Sequence, residues 1–279
     1  MSGIFRALGD ACRNKTFLTG LAILLSLILV ALCAPWITPY SYDEMEVLNA
    51  LKPPSAGHLL GTDHLGRDSF SRLIYGSRIA LKVGAIAVAI QTVVGVSLGL
   101  LAGYYGGWSD RLIIFFTDVI WALPPIVLAI AICTLLGPSL TNVIIAIAAV
   151  SWAQFTRIVR SKTQSLKNLP YVEAARAMGE SDLNIILRYI LPNVIPVTIV
   201  LATLALPIAV VNTTALGFLG LGAQPPLPDW GVILAESMTY LRKAPWLSIF
   251  PGLAIIYVVV GFNLLGEGLR DALDPRLKV

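Results

Sequence analysis

Residues 16–42 have the sequence TFLTGLAILLSLILVALCAPWITPYSY, which contains no charged side chain. Because a helical residue advances about 1.5 Å, about 20 apolar residues cross the hydrocarbon core of a membrane. Arg6, Arg13 and Lys15 precede this stretch as they would in a signal peptide, but the apolar stretch is longer than a signal peptide needs. The stretch therefore predicts a retained transmembrane helix at about 17–36.

Other uncharged stretches along the chain predict further transmembrane helices. Gly137-Pro138 divides one long stretch into two, and a glycine- and proline-rich segment that begins at Gly217 ends another helix near Leu216. The predicted helices after the first lie at about 81–103, 112–136 and 139–159, followed by one that ends near 216 and one at about 246–265. The predicted fold class is an all-α polytopic membrane protein with about six transmembrane helices.

The composition supports a membrane protein and excludes a soluble globule. Hydrophobic residues make up 57% of the 279 positions, charged residues only 13%, and the mean hydropathy is +0.80, whereas soluble domains carry roughly 25% charged residues. The net charge of +4 comes from basic residues scattered between apolar stretches, so no nucleic-acid partner is expected. Cys12, Cys33 and Cys133 are far apart and have no metal-ligand spacing, so no metal site is expected.

The distribution of basic residues predicts how the chain lies in the lipid bilayer. Placing the N-terminus in the cytoplasm puts thirteen of the 20 Lys and Arg residues inside, as the positive-inside rule favours. We therefore expect a multi-pass protein of the cell (inner or plasma) membrane with both termini cytoplasmic. In the outer part, Asp63, Arg67, Asp68 and Arg72 are close enough in sequence to pair locally. The predicted parts are a cytoplasmic segment 1–16 and a transmembrane domain 17–279, which includes extracytoplasmic segments 37–80 and 217–245 and a cytoplasmic loop 160–190.

The predicted cytoplasmic loop is too long and too patterned for a simple connector. Pro170 suits a first helical position, and strong helix formers follow it up to Gly179, which ends the helix. Ser181 can cap a second helix over 183–190, which ends before Leu191-Pro192. The loop therefore predicts two short helices that form an elbow.

Two interpretations of the first elbow helix remain open from its composition. Ala174, Ala175 and Ala177 form a small-residue face that lets another backbone approach, and Glu173 and Arg176 offer charges to a partner. These features suit a docking element for another protein. They equally suit an amphipathic helix that lies on the membrane surface.

Residues 173–179 are EAARAMG, and Leu191-Pro192 follows them in the chain. This pattern resembles the EAA loop of ABC-type importer permeases, although Tyr189 stands where the family usually has isoleucine. Further ordered stretches resemble the C-type permease of dipeptide, oligopeptide and nickel importers: LGTDHLGRDSFSRLIYGSR (60–78), TDVIWALPPIVLAI (117–130), LGPSLTN (136–142), GFLGLGAQPPLPDWG (217–231) and LDPRL (273–277). Together they cover nearly the whole chain.

The resemblance implies a mechanism and a set of partners. In the family the loop docks in a cleft of an ATPase subunit, and the matching positions are Glu173, Ala174, Ala175, Arg176, Gly179, Leu191 and Pro192. The implied partners are a second, homologous permease subunit, two ATPase subunits that hold ATP and Mg, and an extracytoplasmic substrate-binding protein. The chain itself is expected to carry no cofactor, since its glycine-rich segment lacks the order of a P-loop.

Three groups of polar or helix-breaking residues are candidates for pathway or gating roles. Asp118 is an acidic residue in a predicted membrane helix, so we expect it to pair with Arg111 or a loop residue, or to contact substrate. Pro124-Pro125 would bend the same helix, as a hinge or as a static kink. A polar patch that lines a pathway, or that bonds between helices, is formed by Asn212, Thr213 and Thr214.

The expected function is to form half of a translocation pathway for di- or oligopeptides by ATP-driven alternating access, without bond chemistry in this chain. Import of a nickel chelate or an oligosaccharide is an alternative within the family, and Thr213 replaces an acidic residue of the family, which puts amine binding there in doubt. A membrane-embedded enzyme would need paired catalytic groups at membrane depth, but His58 and His64 both lie in the outer segment. A channel would pass solute without ATP.

Overall fold

The computed structural model describes residues 13–273 of the 279-residue chain. Most of the predicted N-terminal segment, Cys12 and most of the terminal LDPRL motif lie outside the described residues. Within 13–273 the regular elements are helices, and no strand occurs there apart from an isolated bridge between Thr62 and Asp68.

The described part of the chain is built mainly from long helices. Most of them follow one another closely, but the segment 38–68, which contains a short 3-10 helix at Val47–Asn49, separates the first two long helices. Five of the helices are long and apolar enough to cross a membrane, and two shorter ones, bent at the break between them, count as a sixth span if they are taken together. In chain order the helices are α1 Lys15–Ile37, α2 Ser69–Tyr105, α3 Gly107–Trp121, α4 Pro125–Leu136, α5 Leu140–Leu166, α6 Pro170–Ala177, α7 Asp182–Phe218, α8 Trp230–Met238 and α9 Trp246–Leu273. The prediction of an all-α protein with about six transmembrane helices is confirmed.

The third predicted helix, 112–136, is two helices and not one. Helix α3 ends at Trp121, and α4 begins at Pro125 with its axis turned by 88°. Pro124 has φ −56° and ψ 128°, because a residue that precedes a proline is pushed out of the helical region. The chain therefore bends at Pro124-Pro125 as expected, but the pair separates two helices instead of kinking one continuous helix. A hinge role for the pair stays a prediction.

The second arm of the predicted elbow is not a short helix that stops before Leu191-Pro192. It continues into the fifth span, so that α7 runs without a break from Asp182 to Phe218. The segment Ile185–Ile190 is π-helical, and the Leu191 amide donates to the carbonyl of Ile186, five residues back. This wider turn makes room for the ring of Pro192, which would otherwise clash with the carbonyl four residues before it.

Uncharged stretches underestimate the helices, because helix ends that leave the lipid are polar. Helix α2 begins at Ser69, well before the predicted position 81, and the Asp68 carboxylate caps it by accepting the Ser71 amide at 2.8 Å. Helices α5 and α9 likewise extend past their predicted ends. Helix α8 lies inside the segment 217–245, which was predicted to be a loop.

A seam of small residues joins α2 to α5. Gly95, Gly99 and Gly103 recur every four residues and so share one face of α2. A Cβ atom at Gly95 would lie 2.4 Å from the Phe155 Cβ, and one at Gly99 would lie 2.7 Å from the Val159 Cβ. The two helix backbones therefore approach as closely as small residues allow, which is how membrane helices gain packing energy.

Candidate coupling surface and membrane pathway

Helix α6 begins and ends where its sequence requires. Pro170 occupies the first turn, where its missing amide hydrogen is not needed. At the other end Gly179 adopts φ +81°, and the Glu180 amide donates to the Ala175 carbonyl at 3.2 Å. This is the Schellman pattern of helix termination, which favours glycine at the left-handed position.

The two faces of α6 differ in burial. Val172 and Ala175 are fully buried against Ile185 and Ile190 of α7, in an apolar cluster that also includes residues of α2 and α5. Glu173, Ala174, Arg176 and Ala177 are exposed. Ala175 therefore cannot belong to the small-residue face expected to meet a partner, because it lies three residues from Val172 on the inner face.

The outer side of the elbow carries exposed apolar residues beside its charges. The Met178 side chain is 74% exposed, Leu183 is 63% exposed, and Tyr171 is exposed as well. We define the elbow surface as the exposed residues of this side: Tyr171, Glu173, Ala174, Arg176, Met178, Gly179 and Leu183. An interfacial helix would turn its apolar face to lipid, whereas the apolar face of α6 is covered by protein.

The remaining two positions matched to the EAA loop support the elbow from behind. Leu191 is half-buried and packs against the same apolar cluster as Val172. Pro192 is exposed directly after the π-helical segment of α7. Neither lies on the elbow surface, so in this structure they position it.

The elbow is bonded to the C-terminal end of α2. The Tyr104 hydroxyl donates to the Asp182 carboxylate at 2.6 Å, and the Arg176 guanidinium lies 5.9 Å from the centre of the Tyr104 ring. The Lys167 ammonium donates to the Tyr104 carbonyl at 3.4 Å. The elbow is therefore held to α2 by side-chain contacts and is continuous with α7.

Two ion pairs join α3 to α5. The Arg160 guanidinium donates to both carboxylate oxygens of Asp110, and that of Arg157 donates to Asp118. Arg157 also lies over the Trp121 ring, 4.5 Å from its centre. Asp118 thus pairs with a residue of α5, and not with Arg111 or a residue of the loop. Its gating role stays a prediction.

The predicted polar patch on α7 is largely satisfied within its own helix. Thr213 is buried, and its hydroxyl donates to the Ala209 carbonyl at 2.8 Å, while the Thr214 hydroxyl donates to the Val210 carbonyl at 3.0 Å. Asn212 and Thr214 remain half-buried. A pathway role for the patch stays a prediction, and buried Thr213 lines no open surface in this conformation.

At the other end of the bundle, a buried ion cluster ties the segment before α2 to α8. Arg67 and Arg72 are each 1% exposed. Arg67 donates to Asp63 at 2.6 Å and to Glu236 at 2.9 Å, while Arg72 lies 3.4 Å from Asp63 and donates to Glu236 at 3.1 Å. The sequence indicated local pairing of Asp63 with the arginines. It gave no signal for Glu236, more than 160 residues away in the chain.

Asp63, His64 and Glu236 place possible metal-ligating atoms within 4.8 Å of one another. Both carboxylates already accept hydrogen bonds from buried arginines, so two positive charges balance the two negative ones. A divalent cation would have to displace those arginines and leave them buried without partners. The residues therefore fit an ion-pair cluster better than a metal site.

Asp229 is a buried carboxylate without a cationic partner among the described residues. It caps α8 by accepting the Gly231 amide at 2.7 Å, and its second oxygen finds no hydrogen-bond partner there. Burial raises its pKa to about 6, and the backbone amides of Gly231 and Val232 oppose that shift only in part. Beside it, the Trp230 ring nitrogen donates to the Leu73 carbonyl at 3.0 Å, which fixes α8 on α2.

The bundle of apolar spans, with a protein-supported elbow exposed at one end, defines the class of protein: a polytopic membrane permease. Residues 95–279 match the family described as binding-protein-dependent transport system inner membrane component. Residues 6–54 match the N-terminal TM domain of oligopeptide transport permease C. The chain belongs to the family of binding-protein-dependent transport system inner membrane components, as a C-type permease of an ABC importer.

Relatives with similar length cover nearly the whole chain. The dipeptide transport system permease protein DppC of Alkalihalophilus pseudofirmus is 50% identical over 266 residues, which are 95% of this chain and 88% of that protein. The glutathione transport system permease protein GsiD of Pectobacterium atrosepticum is 46% identical over 93% of this chain and 86% of its own. The di/tripeptide transport system permease protein DppC of Pseudomonas aeruginosa is 45% identical over 95% and 89%.

A solved structure supports the fold. The MetNI methionine ABC transporter in an inward facing conformation matches with a TM-score of 0.58 at 19% sequence identity. The match covers 73% of this chain and 96% of the other. At this identity the likeness establishes a shared fold.

Proposed function

We propose that this permease forms half of the translocation pathway for short peptides, and that ATPase subunits drive it through the elbow surface. The observation that carries the cargo proposal is the 50% identity, over 95% of the chain, to a dipeptide permease. Relatives named for glutathione and for di- and tripeptides share short peptide chemistry with it. A second, homologous permease supplies the other half of the pathway, and a binding protein outside the cell delivers the peptide.

The geometry supports coupling by a lever. Helix α7 continues from the elbow to the opposite end of the bundle over 37 residues, or about 54 Å of helix. There α8 lies directly against it, since a Cβ atom at Gly231 would come within 2.1 Å of the Thr214 carbonyl. Displacement of the elbow by an ATPase therefore moves α7, and α8 follows it together with the buried ion cluster, whose ion pairs stay intact.

The proposal assigns the energy source and the orientation. ATP and Mg bind to two partner ATPases, and this chain contributes no nucleotide site. The elbow end faces the cytoplasm with both termini, in keeping with the distribution of basic residues. Alternating access then follows when the two permeases tilt between inward-open and outward-open arrangements.

The test of the coupling proposal is co-purification of the ATPases from solubilised native membranes. Gly179→Asp places a side chain on the elbow surface at a residue with φ +81°, and Gly220→Asp is a matched control. Gly220 has φ +78° near the α8 end, and at both positions a Cβ atom meets nothing within 4 Å. We expect the ATPases to be lost with Gly179→Asp and retained with Gly220→Asp.

Other outcomes would contradict this part of the proposal. Equal loss in both variants would indicate a general effect on folding, and absence of any ATPase from the wild-type chain would favour a channel or a membrane enzyme. The cargo is tested by ATP-dependent uptake of a radiolabelled dipeptide into proteoliposomes that hold the wild-type complex with its binding protein. If the dipeptide were not taken up, the proposed peptide cargo would be refuted, and the co-purification result for the ATPases would still stand.

A further inference from the structure

A cleft between α2, α5 and α7 contains polar side chains in an otherwise apolar part of the bundle. We call it the Gln91 cleft. The space between its lining atoms, open mouth included, is about 260 Å³, of which about 20 Å³ admits the centre of a water-sized sphere. Its polar lining comes from Gln91 of α2 and from Ser151 and Gln154 of α5. The apolar lining is formed by Ile147, Phe155, Ala205, Ile208 and Ala209.

The cleft lies deep within the spans. Gln91 is about 21 Å of helix from the C-terminal end of α2, and Gln154 is about 18 Å from the C-terminal end of α5. Gln154 and Ile208 are exposed, whereas Gln91 at the base of the cleft is only 1% exposed. The cleft thus opens at the surface of the bundle and ends on a buried amide.

The buried amide of Gln91 lacks a partner among the described residues. Its oxygen Oε1 is buried and makes no hydrogen bond there, and the hydroxyl of neighbouring Thr92 is in the same state. An unsatisfied buried polar group costs about 1–3 kcal/mol, and lipid offers it no partner. Polar side chains at this depth are therefore expected to serve a ligand or a pathway.

The chemistry of the cleft selects a neutral group that both donates and accepts hydrogen bonds. No lining residue is ionisable, so a free amine or carboxylate would enter without a counter-charge. A glutamine carboxamide has an oxygen that accepts and an NH₂ that donates, and a peptide group offers the complementary N–H and C=O. An extended peptide has free backbone groups, whereas a helix of a partner permease bonds its own backbone internally.

We propose that the Gln91 cleft is a subsite for the cargo backbone, in which Gln91, Ser151 and Gln154 hydrogen-bond a neutral amide group of the passing peptide. The assignment rests on the proposed peptide import. It places cargo contact on α2 and α5, beside the part of α7 that lies one turn before the Asn212–Thr214 patch. The charged termini of the peptide lie outside this cleft.

The first experiment compares dipeptide uptake per ATP hydrolysed in proteoliposomes that hold the full complex. Gln91→Leu and Gln154→Leu remove the polar groups at similar volume, and Gln164→Leu makes the same change on α5 about 15 Å of helix away. We expect a drop of tenfold or more for Gln91→Leu, a smaller drop for Gln154→Leu, and wild-type values for Gln164→Leu. Because Gln154 is exposed, its variant is expected to fold even where Gln91→Leu does not.

The second experiment tests whether the cleft is open to water and peptide. Ser151→Cys, in a chain whose three native cysteines are replaced by alanine, is treated with a hydrophilic maleimide while the complex turns over. We expect labelling that slows several-fold with saturating dipeptide. If Ser151→Cys were not labelled, lipid or the partner permease would seal the cleft, and the subsite would be overturned. Unchanged uptake by Gln91→Leu and Gln154→Leu would likewise overturn the subsite and leave the proposed cargo standing. Loss of peptide uptake by the wild-type complex would overturn the proposed cargo together with the subsite.

Discussion

The two ends of the molecule hold their charges in different ways. At the α8 end, Arg67 and Arg72 have side chains 1% exposed and share two carboxylates. At the elbow end, the pair of Arg157 and Asp118 has side chains 38% and 57% exposed. Removing one partner from a buried ion pair costs about 3–5 kcal/mol, whereas an exposed pair contributes about 0–1 kcal/mol.

The difference suggests a division of labour between a fixed end and an adjustable one. The buried cluster joins α8 to the segment before α2, and breaking it would strand two charges away from water. The exposed pair of Arg157 and Asp118 can separate at little cost where water replaces the lost partner, whereas the pair of Arg160 and Asp110 beside it is half-buried. In the proposed mechanism, the contacts that separate most easily lie at the elbow end, where the ATPases would act.

The largest expected effect comes from the buried cluster. Glu236→Ala leaves Arg67 and Arg72 with Asp63 as their one carboxylate in the cluster, so we expect a loss of about 3–5 kcal/mol in unfolding free energy. The measurement is denaturant unfolding of the purified chain in detergent. Glu267→Ala is the control, because Glu267 is exposed on α9 and makes no ion pair within the described residues. An equal loss in both variants would contradict the assignment of a fixed end.

The sequence predicted the spans well, because lipid requires long uncharged stretches wherever a helix crosses it. It did not predict α8, since Trp230–Met238 is short and follows a segment rich in glycine and proline. It also did not predict the continuity of α7, because the π-helical turn that accommodates Pro192 depends on packing around the elbow. Local propensity alone favours a stop at such a proline.

For the candidate sites, sequence reasoning located the elbow but not its orientation. Which face of α6 is exposed depends on the apolar cluster beneath it, so Ala175 could not be separated from Ala174 in advance. The ion pairs of Glu236 with Arg67 and Arg72 could not be predicted for a different reason. A single sequence carries no information on contacts between residues far apart in the chain. Gln91 and Gln154 could have been found, because polar residues inside uncharged spans are themselves a signal.

A second, somewhat smaller effect tests a buried carboxylate that has no arginine beside it. Burial raises the pKa of Asp229 from its usual 3.8 to about 6, so the protonated form is favoured in the folded chain. The protonated Asp229 carboxyl contributes fully to the free energy of unfolding below about pH 4. This contribution is lost as the pH rises through about 6, a change on the order of 3 kcal/mol. Asp229→Asn stays neutral, so we expect its stability to depend less on pH over this window.

The measurement for Asp229 is the melting temperature of the purified chain between pH 4.5 and 7.5. The wild-type chain should lose more stability than Asp229→Asn as the pH rises. If the melting temperatures of the two chains changed with pH in parallel, a cation would have to pair with Asp229 in the folded chain. Asp229 would then not be an unpaired buried carboxylate.

The smallest expected effect concerns Asp118 and Arg157 at the adjustable end. A double-mutant cycle of Asp118→Asn and Arg157→Gln isolates their interaction from the contact of Arg157 with Trp121, which both Arg157 variants lose. We expect a coupling energy below about 1 kcal/mol, since both side chains are solvent-exposed in the single chain. A coupling above about 2 kcal/mol in the assembled complex would mean that a partner subunit shelters the pair. The difference in exposure between the two ends would then exist only in the isolated permease. Because a sheltered pair is costly to break, α3 would have to move together with α5 during transport.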